Sequence, residues 1–174
     1  MKFDLETDKP PVVLYIDTEQ SKDDTIAIKN RVCTMAGIDY NLRSDTFFVA
    51  RLRDTVSAED RYKQILQLLW ELKPTVVFID GLLDIVDDYN DQKQCTPIIR
   101  ELMAVATYYN TSTWCVLHEN PTTDKMVGSL GSIAQRKVTE VFIIKKHKKD
   151  KEPNNPKFAD FPNIFFSVEQ AKTT

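Results

Sequence analysis

Glycine is scarce in this 174-residue chain: only four are present, and no Gly-Lys dipeptide occurs anywhere. That excludes, within these residues, the glycine-rich loop G-x-x-x-x-G-K-[ST] whose backbone amides and lysine cradle a nucleotide's phosphates. Cysteine is nearly as scarce. Cys33, Cys95 and Cys115 lie far apart and form no CxxC, which fits reduced buried thiols in a cytoplasmic protein better than a disulfide framework. With only two histidines, His118 and His147, no cluster has zinc-ligand spacing. The longest apolar runs fall far short of the roughly 20 residues of a membrane span, so no membrane partner is expected. The opening "MKFDLETDKP" is too acidic and polar for a signal peptide. A net charge of -3 argues against a basic nucleic-acid module as a whole, though a local basic patch stays open.

What is present is the composition of an ordinary soluble domain, 42% hydrophobic and 28% charged. Val12–Ile16 is a continuous apolar run, as in a parallel strand buried on both faces. Ser21 offers an N-cap, Asp23 and Asp24 favour a first helical turn, and Ile26, Val32, Met35 and Ala36 follow at helical spacing to a stop at Gly37. Thr46–Leu52 reads as a second strand. Ser57 caps a helix with Tyr62, Ile65, Leu66, Leu69 and Leu72 on one stripe. Pro74–Asp80 is a third strand, "DDYNDQKQ" a polar loop, and Ile98, Ile99, Leu102, Met103, Ala106 and Tyr109 the inner face of a third helix. Thr113–Leu117 is a fourth strand and "DKMVGSLGS" a Gly/Ser loop. "VTEVFIIKK" and "NIFFSVE" are the last two strands, separated by an exposed polar loop over 147–162. Strands alternating with helices give an α/β domain with a largely parallel sheet. The last two strands, with no helix between them, pair antiparallel at an edge.

Three strands end in chemistry: Glu19, Asp80 and His118. In an open α/β sheet ligands bind beyond the carboxyl ends of the strands, so these groups are expected along one rim. An aspartate closing a rigid strand, as in "VVFID", suits Mg²⁺ beside a phosphate chain, and an Asp-Gly turn is the plainer reading. A glutamate on the next strand could orient a water as general base. His118 is either a local cap or a group that meets a phosphate. Lys145, Lys146, Lys148 and Lys149 form a basic run that is either a solvated loop or a nucleic-acid contact.

The order "VVLYIDTEQS", "TVVFIDGLLDIV", "WCVLHENP" and "KMVGSLGSIAQRKVTEVFIIKK" resembles the RecA-like ATPases, in particular the plasmid-type replicative helicases and ATPases of mobile elements. The likeness runs from about Val12 to Lys146 and implies one RecA-like core domain over residues 1–174. It implies that Glu19 polarises the attacking water and contacts the nucleotide, that Asp80 supports Mg²⁺ and ATP, and that His118 senses the γ-phosphate. Arg136, with Lys137 as a one-residue alternative, would be a finger reaching into the next subunit. ATP with Mg²⁺, DNA and a homo-oligomeric ring or filament are the implied cofactors and partners. The large departure is the missing first strand and phosphate loop. Two explanations follow: a fragment of a longer protein that carries them upstream, or a degenerate homologue serving as a non-catalytic binding or oligomerisation module. Either way this chain alone is expected to bind ATP weakly or not at all. A hydrolase or response-regulator-like domain with an aspartate nucleophile would need a lysine partner at a strand end, and Lys145 is poorly placed for that.

Overall fold

The structure, a computed structural model, describes residues 10–41, 44–119, 126–148 and 164–173. They form two compact units, divided after Ile133. The first holds a parallel sheet of four strands: β1 (Val13–Asp17), β2 (Phe47–Arg51), β3 (Val76–Asp80) and β4 (Ser112–Cys115), in the order β2-β1-β3-β4. Asp17 lies opposite Asp80 in the register of the central pair.

The connections are helices α1 (Lys22–Ala36), α2 (Ala58–Leu72) and α3 (Gln92–Tyr109), with a 3₁₀ turn at Leu82–Ile85. Each helix begins where a side chain can replace a missing backbone partner. Ser21 accepts from Asp24 N–H, Ser57 from Asp60 N–H and Asp91 from Lys93 N–H. At the other ends Gly37, Lys73 and Asn110 turn into the left-handed region and close the last turns.

Parallel crossovers are right-handed. The chain moves one way from β1 to β2 and the other way from β2 to β3 and from β3 to β4. So α1 lies on one face of the sheet and α2 and α3 on the other. Two contacts agree: Thr25 of α1 bonds the Asp17 carboxylate, and Tyr62 of α2 bonds Glu101 of α3 at 2.8 Å. Leu14, Ile16, Val77 and Ile79, which alternate onto the face under α2 and α3, are fully buried with Ile65, Leu82 and Ile85. Burying such side chains stabilises the fold by about 1.5–3 kcal/mol each.

Several expectations shift in detail. The helical spacing in α1 does not mark its buried face: Ile26, Val32 and Met35 are exposed, and Thr25 and Cys33 are buried. In α3, Ile99 and Leu102 face inward and Met103 is exposed. The Gly/Ser segment contains a helix, α4 (Gly128–Lys137), whose Leu130 is buried. Its first turn is held by Leu130 N–H on Tyr89 O and by the Ser129 hydroxyl on Asn90 O.

The second unit contains β5 (Glu140–Lys148) and β6 (Ile164–Thr173), paired antiparallel as a two-stranded sheet. The antiparallel pair is as expected, and it forms a sheet of its own. Of the loop expected over 147–162, residues 149–162 lie outside the described residues, while 147 and 148 belong to β5.

Candidate functional site

The site begins at the carboxyl ends of β1 and β3. Here the chain leaves one strand toward β2 and the other toward β4, and such a reversal of direction opens a crevice where ligands bind in α/β sheets. Asp17 is completely buried there. Its Oδ1 accepts from the N–H groups of Glu19 (3.1 Å) and Gln20 (2.9 Å), and its Oδ2 from the Thr25 hydroxyl (2.6 Å). Both oxygens of Asp17 are thus engaged inside the fold, and its burial keeps it from a ligand at the rim. Its role is to fold the chain after β1 into a turn that sends Glu19 out over the rim.

Thr18 fastens that turn to β3. Its N–H donates to Asp80 O at 2.7 Å, and its hydroxyl accepts from Gly81 N–H at 2.9 Å and lies 2.7 Å from Asp84 Oδ2. Across the junction, Leu82 N–H donates to Val116 O at 3.0 Å and ties the end of β4 to the same corner.

Two of the three expected side chains meet, and the third stands on the strand between them. Glu19 Oε2 is 3.5 Å from His118 Nε2, and the other oxygen of Glu19 lies over Gly81, immediately after Asp80. A Cβ on Gly81 would sit 2.3 Å from Glu19 Oε1, so the glycine's bare Cα is what leaves room for that carboxylate. His118 is exposed at the rim and Glu19 partly covered.

Asp80 is held from below. Tyr15, two residues earlier on the neighbouring strand, donates its phenol to Asp80 Oδ2 at 2.8 Å. Burial, reinforced by this bond and the Asp80 charge, pushes the Tyr15 phenol above its usual value, so it stays a donor at neutral pH. One carboxylate oxygen of Asp80 is thereby fixed and the other remains for a ligand. Among the described residues no group of three or more His, Cys, Asp and Glu side chains could hold a metal. The donor set does not fit an all-protein cage. It fits the way Mg²⁺ is commonly held, through one carboxylate with phosphate and water completing the octahedron.

Tyr15 and Thr18 escaped the sequence reading. The signal for both was there: a single phenol within an apolar strand, and a hydroxyl between two acids. Arg136 and Lys137 lie at the end of α4 and are exposed. Lys145 and Lys146, on β5, are exposed and alternate to opposite faces of the hairpin. Lys148 closes the strand, and Lys149 lies outside the described residues.

No family model matches the sequence, and no curated protein matches it. Among solved structures, the chain is similar to a KaiC-like protein, PH0186, from the hyperthermophilic archaeon Pyrococcus horikoshii OT3. The TM-score is 0.58 at 11% identity, over 94% of this chain and 65% of that one. A likeness at this identity speaks for the fold alone. The parallel sheet flanked by helices, with its antiparallel pair of strands, is a RecA-like fold.

Proposed function

We propose that this chain is the acid–base part of a RecA-like ATPase core whose parent protein hydrolyses ATP while acting on DNA. One observation carries the reading: Glu19, Asp80 and His118 stand at the ends of three adjacent parallel strands, with Glu19 in reach of His118 and beside Asp80.

Each residue has a distinct task. Glu19 orients a water toward the γ-phosphate and accepts its proton as the new P–O bond forms and the bond from the γ-phosphorus to the bridging oxygen breaks, releasing the nucleoside diphosphate. Asp80, aimed by Tyr15, provides the carboxylate oxygen for Mg²⁺, which when bound neutralises charge on the phosphate oxygens. His118 holds Glu19 from the side and is positioned to exchange that contact for a phosphate oxygen. Asp17 keeps the Glu19 turn rigid. Arg136, or Lys137 beside it, would serve a neighbouring subunit's site in a homo-oligomer, and Lys145 and Lys146 with Lys148 and Lys149 would meet nucleic-acid phosphates. The helicase, replication and mobile-element setting rests on the order of sequence motifs alone.

The absence of a Gly-Lys dipeptide favours a second reading, a binding or oligomerisation module that keeps the fold without the chemistry. One experiment separates the two. ATP turnover and nucleotide binding are measured on the longest natural polypeptide containing this chain, with Glu19→Gln alongside. The hydrolase reading expects turnover that Glu19→Gln abolishes while binding persists. Absence of turnover in the natural polypeptide, or turnover indifferent to Glu19→Gln, discards it.

A further inference from the structure

A cation in the first turn of a helix works against the helix dipole. In α2 the acids Glu59 and Asp60 obey that preference, and Arg61, fourth in the helix, breaks it. Its half-buried guanidinium is engaged with main chain on two sides. Nε donates to Thr55 O at 2.8 Å, in the loop between β2 and α2. Nη1 donates to Asp84 O at 2.7 Å, in the 3₁₀ turn after β3. Bonds from a charged donor are the stronger kind. A planar fork also holds two acceptors in a fixed relation, which a lysine ammonium on a flexible stem does not.

Both attachments lead to the rim. On one side, Thr55 N–H donates to Leu52 O at 3.0 Å and Leu52 N–H to Asp17 O at 2.7 Å, so the loop is fixed to the end of β1. On the other, the Asp84 carboxylate faces the Thr18 hydroxyl. That hydroxyl has one proton and three acceptors in reach: Asp84 Oδ2 at 2.7 Å, and the carbonyls of Asp80 and Gly81 at 3.2 Å each. The short bond to a charged oxygen prevails, which leaves a lone pair for Gly81 N–H at 2.9 Å. Bonds therefore run in a closed ring from β1 through the β2–α2 loop, Arg61 and the 3₁₀ turn back to Thr18, and Glu19 is the next residue.

The same turn reaches the other side of the site. Leu82 N–H donates to Val116 O, and Val116 lies two residues before His118. The 3₁₀ turn is thus a spacer between Glu19 and His118, and Arg61 secures it from α2.

We propose that Arg61 is a positioning residue for this rim: by tying the turn after β3 to the loop after β2 it sets, through Asp84 and Thr18, where Glu19 stands relative to His118. That the placement of Glu19 governs turnover rests on the hydrolase reading; that Arg61 governs this placement does not.

The test reads the Glu19–His118 contact by NMR in the full chain carrying His147→Gln, which leaves one imidazole signal. The displacement of that signal by Glu19→Gln is measured with Arg61 in place, with Arg61→Lys, and with Asp84→Ala, which removes the acceptor of Thr18 and spares the guanidinium bridge. Tyr62→Phe is the control: it takes a bond to Glu101 from the next residue of the same helix, with no part in the ring. The expected displacement falls by about half or more with Arg61→Lys and with Asp84→Ala and persists with Tyr62→Phe. In the longest natural polypeptide, Arg61→Lys should lower kcat ~10-fold or more with little change in KM, the split expected of misplaced chemistry rather than lost binding. A displacement undiminished in Arg61→Lys overturns the proposal. So does its equal loss in Tyr62→Phe, which would make stability the cause, and so does a His118 signal that Glu19→Gln leaves in place. Turnover that Glu19→Gln abolishes and Arg61→Lys leaves intact overturns it as well. A natural polypeptide without turnover discards the hydrolase reading instead, and the NMR comparison decides Arg61 by itself; should Arg61→Lys fail to fold, Asp84→Ala decides it.

Discussion

Tyr15 shows how much a single hydroxyl can fix. It joins the central strand pair at the point where Asp80 must be aimed, and its raised pKa carries a sign for stability. The phenol titrates at 10.0 in the unfolded chain and higher in the fold, first because it is buried and then because it donates to Asp80. The protonated form is the one the fold prefers. The stabilisation is therefore complete below pH 10.0 and is lost as pH rises toward the folded value. In chemical denaturation across pH 8 to 11, the Tyr15→Phe protein should lose stability less steeply than the wild type above about pH 10; parallel curves would mean that the phenol is not held as described. Gly81 makes a complementary case. A methyl there collides only with the far end of the Glu19 side chain, which can swing away. Gly81→Ala should therefore cost no more than about 1–2 kcal/mol of stability while displacing Glu19 from His118, visible as a changed His118 imidazole signal by NMR. Asp17 is the opposite kind of residue. Asp17→Ala strips the acceptor from two backbone amides and the Thr25 hydroxyl, and about 2–4 kcal/mol of stability should go with it. A thermal melt that barely moves would remove Asp17 from its structural role.

At the scale of elements, strands and caps were legible in the sequence because their signals are local. Four residues of "VVLYID" and four of "TVVFID" alternate between two sheet faces, and both faces of an inner strand prefer apolar groups, so the run itself announces the strand. Ser21 and Ser57 sit where the caps are, and Ser21→Ala should destabilise the protein by about 1 kcal/mol in urea denaturation. Helix orientation was less legible. In α1 the apolar spacing of Ile26, Val32 and Met35 competes with a polar requirement, Thr25 on the buried carboxylate of Asp17, and the polar bond decides which side turns inward. Met35→Lys should accordingly leave stability within about 0.5 kcal/mol of wild type, where a core position would lose several times that. The helix α4 was hidden because glycine and serine outweigh its few apolar residues; what orders its start is a tertiary partner, the backbone of Tyr89 and Asn90, which no local pattern encodes. The site divides the same way. Glu19, Asp80 and His118 stand at strand ends, where position alone suggests a role, while Tyr15 and Thr18 act through neighbours that only the strand register identifies.

Across the whole molecule, the two units carry unequal cooperative support. β1 and β3 are each paired on both sides, β1 between β2 and β3 and β3 between β1 and β4, and they contribute the fully buried Leu14, Ile16, Val77 and Ile79. β5 and β6 pair only with each other among the described residues, and Ile144, Phe166 and Val168 are exposed. A two-stranded sheet is marginal in water, and among the described hairpin residues only Val141 is buried, so the hairpin has less to lose on opening than the four-stranded sheet. Native-state hydrogen exchange should therefore resolve two levels. The amides of β1 and β3 should report the global unfolding free energy, and those of β5 and β6 should exchange through a smaller opening whose free energy changes little with denaturant. Asp17→Ala should lower the protection of β1 and β3 together and leave β5 and β6 where they were, since its bonds lie wholly within the first unit. Equal protection across all six strands, falling together in Asp17→Ala, would show instead that the hairpin folds as one cooperative body with the sheet, and that the rim of Glu19, Asp80 and His118 depends on residues well beyond the first unit.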